Sequence, residues 1–150
     1  MVPVPIKGSA DPVQLPVIFP ARIVEQFWEV GPEVFRSCMV GIGGDNCLHD
    51  YWRNCAGAAW LQQHPRRPEP VSYGRTIPIW LHRDMACAFS FQKILILSWK
   101  SGVVSGCSWS SRMLYTLSPV EAFVPETLQT VLSHVAHHIN LLQRYDGKDI

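Results

Sequence analysis

One aspartate at the end of a strand and three histidines on one helix are the residues whose type and spacing could do chemistry. Asp84 closes the run Thr76-Ile77-Pro78-Ile79-Trp80-Leu81-His82-Arg83, and a carboxylate there can hold a divalent cation or serve as a base. His134 and His138 stand four residues apart with His137 beside them, a spacing that can set two imidazoles on one helical face around a metal. The same spacing also suits histidines at the border of an apolar stripe. His-Glu-x-x-His is absent and the pair lies beside Thr127, Thr130 and Leu141, so a structural role is favoured and Asp84, His134 and His138 are weak metal candidates. If Asp84 shares a metal, Glu121 and Glu126 are the nearest acids by topology, with Asp45 and Asp50 further off.

Two short motifs fail on their surroundings. His82-Arg83-Asp84 matches a kinase catalytic tripeptide, but the Asn expected five residues past the Asp is Phe89, and no Asp-Phe-Gly follows. Gly41-Ile42-Gly43-Gly44-Asp45-Asn46 has glycines that could approach a phosphate, yet no third Gly at the required place and no Gly-Lys-Ser/Thr. It reads as a turn between helices, with Asp45 or Asn46 capping the second.

The elements around these residues follow from periodicity. Ile77, Ile79 and Leu81 alternate, and Lys93–Trp99 is a continuous apolar run, so strands are expected over 76–83 and 92–100 as a core hairpin, the second covered on both faces. Met113, Tyr115 and Leu117 mark a third strand over 112–117. Pro125 opens a helix whose expected buried stripe is Leu128, Val131, Leu132, Val135, Ile139 and Leu142. Upstream, Ile23, Val24, Phe27, Trp28 and Val30 fit one amphipathic helix, and Val34 to Met39 a second, started by Pro32. A third is expected from about Cys47 into Leu61, burying Leu48, Tyr51, Trp52, Cys55, Ala59 and Trp60. The fold class is α+β: a helical N-terminal half and a three-stranded antiparallel sheet packed by a C-terminal helix. Residues 1–20, with five prolines, form an extended arm. Residues 21–150 form one domain, helical over 21–64 and sheet plus helix over 75–145, either whole or part of a longer protein.

Composition bounds the function. The 150 residues are 47% hydrophobic and only 17% charged, with six Trp, so the chain has much to bury and little to keep it solvated. A protein partner is expected, through self-association or a missing C-terminal region. Residues 66–112 carry seven bases against Glu69 and Asp84, while the net charge is +1; nucleic acid can meet this segment, although scattered solubilising charge explains it as well. Five cysteines without a C-x-x-C pair disfavour disulfide and metal scaffolds and point to small core residues. With no signal peptide and no transmembrane segment, an intracellular setting, cytoplasm or nucleus, is expected.

The order strand, strand, strand, helix, with Asp84 on the first strand, resembles the opening of a ribonuclease H-like core of transposases and integrases. That resemblance implies Mg²⁺ held by two or three carboxylates, with Asp84 the residue carried over; the strands bearing the other carboxylates have no counterpart before Ile150. Ile77–Asp84, Ile94–Trp99, Val124-Pro125-Glu126-Thr127-Leu128 and Tyr51-Trp52 also resemble a highly duplicated family of uncharacterised proteins in unicellular algae, a pattern that suits mobile elements. Two functions remain. The first is a non-catalytic interaction or binding domain with no cofactor, either in its own right or as a fragment of a mobile-element protein; the alternative is a truncated ribonuclease H-like, metal-dependent nucleic-acid enzyme core using Asp84 and Mg²⁺.

Overall fold

The computed structural model describes residues 1–65, 67–87, 92–105 and 112–142. The fold class is α+β. Strands β1 (Val2–Val4) and β2 (Val13–Leu15) open the chain, followed by helices α1 (Pro20–Val30), α2 (Pro32–Met39), α3 (Asp45–Cys55) and α4 (Ala59–Gln62). A three-stranded antiparallel sheet comes next, β3 (Ile79–Cys87), β4 (Lys93–Ser101) and β5 (Met113–Pro119) in that spatial order, and then α5 (Pro125–Leu142). Among the described residues no helix is long and apolar enough to cross a membrane.

The first strand of this sheet lies three to four residues later than 76–83. Thr76 closes a preceding 3-10 turn, Pro70–Arg75, its hydroxyl donating to Ser72 O at 2.9 Å. Pro78 has no N–H to place in a ladder, and its carbonyl accepts from Gly102 N at 2.7 Å. Strand geometry therefore starts at Ile79 and runs on through Met85-Ala86-Cys87. The expected core hairpin is only half realised. β4 is the core strand, with Leu95, Leu97, Ser98, Trp99 and Ser101 buried, whereas Leu81 and Met85 of β3 are 42% and 63% exposed.

Between β4 and β5 the register slips: Leu97 stands opposite Thr116, but Ser98 opposite Leu114. Tyr115 is the extra residue of a β-bulge, and the bulge sends its ring into the interior along with Thr116 and Ser118.

Contacts divide the chain into two compact units. One comprises Met1–Gln26, Leu81–Trp99 and the chain from Met113 onward; the other comprises Phe27–Trp80 with Lys100–Arg112. In the first, the proline-rich arm is a short antiparallel ribbon, Val2 opposite Leu15 and Val4 opposite Val13, whose Val2, Val4 and Leu15 are buried. Pro3 is tolerated because a two-stranded ribbon leaves outer edges without ladder bonds. Ile18 N donates to Tyr115 O at 2.8 Å, and the Thr116 hydroxyl donates to Pro16 O at 2.7 Å, so residues 16–18 lie along β5. The Thr127 hydroxyl donates to Pro5 O and accepts from Val124 N at 3.0 Å.

That anchor turns the stripe of α5. Thr127, Val131 and Val135 are its buried residues, and α5 packs on β1. Of the expected stripe, Leu128 and Leu132 instead line an open groove of about 470 Å³ with Pro125, Gln129, Ser133 and Ala136.

The second unit is built around α3. Trp52 is buried and its indole N–H donates to Thr76 O at 2.6 Å, while Tyr73 approaches both Trp52 and His49. Trp80 donates to Tyr51 Oη at 3.0 Å and lies under the Lys100 ammonium. The single helix expected from Cys47 to Leu61 is two, α3 and α4, parted at Gly57. Leu61 is buried, but Trp60 is 53% exposed. α3 starts behind Gly44 at φ 60°, with no side-chain cap from Asp45 or Asn46; the left-handed glycine makes the entry turn itself. The cysteines are not core residues as expected: Cys38, Cys47 and Cys55 are half-buried, Cys87 is exposed, and all four are free thiols. Cys107 lies outside the described residues.

Candidate functional site

The residues singled out from the sequence lie on several elements: Asp84 on β3, Glu126 and the histidines on α5, Asp45 and Asp50 on α3. Asp84 lies within β3 and not beyond its end, because the strand begins at Ile79 and continues to Cys87. It is exposed. Glu121, the nearest expected co-ligand, accepts the backbone N–H of Lys93 at 2.5 Å, which caps the start of β4. That hydrogen bond is the main reason its carboxyl titrates below the ordinary range. Glu126 sits in the first turn of α5, where the helix dipole favours it. Asp45 and Asp50 belong to the other unit, on α3, and Asp50 pairs with Arg53 at 3.5 Å.

The histidines do come together. The rings of His134 and His138 are 6.5 Å apart and nearly parallel, and His137 approaches His138 at 5.4 Å. His138 also rests on Phe19, with ring centroids 4.2 Å apart. Burial lowers its pKa, and the charges of His137, His134 and the Met1 ammonium lower it further. An imidazole packed against an apolar ring beside other basic groups takes up a proton less readily. Among the described residues no three of His, Cys, Asp and Glu form a group able to hold a metal ion.

The basic segment is divided in the same way. Arg83 and Lys93 fall in the first unit, Arg67, Arg75, Lys100 and Arg112 in the second. Arg67 donates to Gln62 Oε1 at 2.7 Å and Lys100 lies 5.5 Å from the Trp80 ring centroid; Arg66 is outside the described residues.

What the fold does present is β3 itself. It is a terminal strand of the sheet, and among the described residues no strand pairs with its outer edge. From Leu81 to Cys87 every residue except His82 is exposed. Strand alternation puts Leu81, Arg83, Met85 and Cys87 on one face and His82, Asp84 and Ala86 on the other. A terminal strand whose outer edge is unpaired among the described residues offers a row of backbone donors and acceptors to another chain; His82 is the exception on its faces, half-buried with its Nε2 enclosed. β5, at the opposite end of the sheet, has residues 16–18 alongside it. The residues missed by sequence reasoning are thus Leu81, Met85 and Cys87. Their signal was available in the adjacent charges Arg83 and Asp84, which point to opposite faces and leave neither face suited to burial.

Comparison with protein-family models, with curated proteins and with solved structures found no match to this chain.

Proposed function

We propose that this chain is a non-catalytic interaction domain that binds a protein partner by strand addition to β3. The observation that carries the reading is the exposure of Leu81, Arg83, Asp84, Met85, Ala86 and Cys87 along a terminal strand. In strand addition the main-chain ladder supplies affinity, and alternate side chains supply specificity. Free thiols at the four described cysteines suit a reducing intracellular setting in cytoplasm or nucleus.

Hydrogen exchange tests it. A nine-residue peptide of alternating Val and Thr, added to the full chain, is expected to slow exchange of amides between Leu81 and Cys87 and to leave α3 unchanged. Unaltered exchange along β3 at millimolar peptide would sink the reading.

A second reading, a ribonuclease H-like nucleic-acid enzyme core within a mobile-element protein, is favoured by one observation: Asp84 stands inside the first strand of an antiparallel sheet that a helix follows. Calorimetry with Mg²⁺ or Mn²⁺ on wild type and Asp84→Ala, with a labelled-DNA cleavage assay alongside, separates the two. Binding or cleavage that disappears in Asp84→Ala replaces the interaction domain with the enzyme.

A further inference from the structure

We infer that residues 16–20 are a built-in guard on the outer edge of β5, ending the sheet there and shutting that side to strand addition. The guard lies at the opposite end of the sheet from β3 and does not depend on what β3 binds. β5 is a terminal strand, and a bare edge presents unpaired N–H and C=O groups to any other chain. Two bonds of different kinds seat the guard: the Ile18 N–H donates to Tyr115 O at 2.8 Å, and the Thr116 hydroxyl donates to Pro16 O at 2.7 Å. Both fall at the bulge, where the ladder to β4 is already irregular. Leu15 and Pro20, at the two ends of the segment, are buried and anchor it.

A guard must not pass the open edge on to its own far side, and this one is too short to do so. Along an extended segment the backbone groups of alternate residues point the same way. Pro16 and Ile18 therefore face β5, where the missing N–H of Pro16 does no harm because its carbonyl makes the contact. Val17 and Phe19 face away. Phe19 O is already the acceptor for Arg22 N and Ile23 N in the first turn of α1, and Pro20 begins that helix at once. On the other side Leu15 belongs to the ribbon, opposite Val2. Val17 alone is left to present both a donor and an acceptor, and an edge of one residue cannot hold a further strand. Very short edges are one way in which sheets avoid adding strands. The two ends of the sheet thus differ, β5 closed by the chain's own arm and β3 unpaired on its outer edge among the described residues.

Hydrogen exchange of the full chain, with and without the Val/Thr peptide at millimolar concentration, tests the guard. In wild type the β5 amides are expected to exchange equally in both samples. Ile18→Pro removes the N–H given to Tyr115 O, at a side chain 47% exposed, and Thr116→Val removes the hydroxyl given to Pro16 O while keeping its shape. In the double variant the peptide is expected to slow β5 amides about tenfold, because two bonds no longer hold the competing segment in place. Ile18→Thr keeps the N–H and is expected to behave as wild type. Circular dichroism checks that each variant is folded; if the double variant is not, Thr116→Val alone is expected to show a severalfold slowing. Peptide protection of β5 in wild type overturns the inference, as does its absence from the folded variant that lacks these bonds. The β3 amides are read in the same samples and decide the strand-addition proposal separately, whichever way β5 behaves.

Discussion

Replacing Tyr115 by Phe should stabilise this protein. Tyr115 is fully buried, and its hydroxyl has no hydrogen-bond partner among the described residues. The bulge explains how it came to be there. Without the extra residue, alternation along β5 would turn Tyr115 to the face opposite Thr116, but the slip between Leu97 and Ser98 carries it inward. A buried hydroxyl deprived of water and of an acceptor costs about 1–3 kcal/mol. Phe keeps the ring and its contacts and removes only the oxygen, leaving a void of about 10 Å³ that returns roughly 0.2 kcal/mol of the gain. The expected net effect is a gain of about 1 kcal/mol, or about 2–4 °C in midpoint for a chain of this size. Urea unfolding at neutral pH, followed by near-UV dichroism, measures it.

An alkaline series checks the same group independently. Burial pushes the Tyr115 phenol up to about 12, above the value near 10 of an unfolded tyrosine. Between these values the unfolded chain has released the proton and the folded chain has kept it. Stability therefore falls as pH rises through about 10 toward 12, and Tyr115→Phe should lose less stability over that window than wild type. A variant less stable than wild type by about 1 kcal/mol, with an unchanged alkaline profile, would show that the hydroxyl has an acceptor and that the reasoning from the bulge is wrong.

Three further outcomes follow from the same structure. Thr127→Val keeps the shape but removes the hydroxyl that joins Pro5 O and Val124 N; it should cost about 2–3 kcal/mol in urea unfolding and expose the arm at 1–20 to limited proteolysis. His138 has its folded pKa lowered, by burial first and then by His137, His134 and the Met1 ammonium, so its contribution is present above the unfolded value near 6.5 and lost as pH falls below it; the thermal midpoint should drop from about pH 7 to about pH 5, and His138→Gln should flatten that drop. Gly102→Ala places a Cβ 2.7 Å from Trp80 Nε1 and 3.1 Å from Pro78 Cγ; displacing Trp80 breaks its bond to Tyr51, and a loss of about 1–3 kcal/mol is expected on denaturant unfolding.

The sequence made most elements legible because their signals are local. Pro20, Pro32 and Pro125 each stand at the first residue of a helix, where a missing N–H does no harm, and the apolar run of β4 reads directly as a covered strand. What was not legible depended on partners distant in sequence. The stripe of α5 could not be oriented from hydropathy, since Leu128 and Val131 score alike as core. Only the acceptor at Pro5, 122 residues away, makes Thr127 a buried residue. Likewise five prolines exclude a helix in the arm, but nothing local says that Val2, Val4 and Leu15 will be buried as a ribbon.

β3 is the instructive case, because its misreading and its proposed function have one cause. Ile77, Ile79 and Leu81 alternate as a half-buried strand should, yet the 3-10 turn and Pro78 remove the first of these from the ladder, and the strand recovers its length by extending into Arg83-Asp84-Met85-Ala86-Cys87. That extension carries charge on both faces, Arg83 on one and Asp84 on the other, and burying either would cost the desolvation of an ion. A sheet accommodates such a segment at its margin, where one ladder is made and, among the described residues, the other edge is left unpaired. The same shift that takes Asp84 from a strand end into a strand interior therefore also turns β3 from a core strand into an edge. A chain with only 17% charged residues places two opposite charges side by side on that strand, Arg83 and Asp84, both exposed.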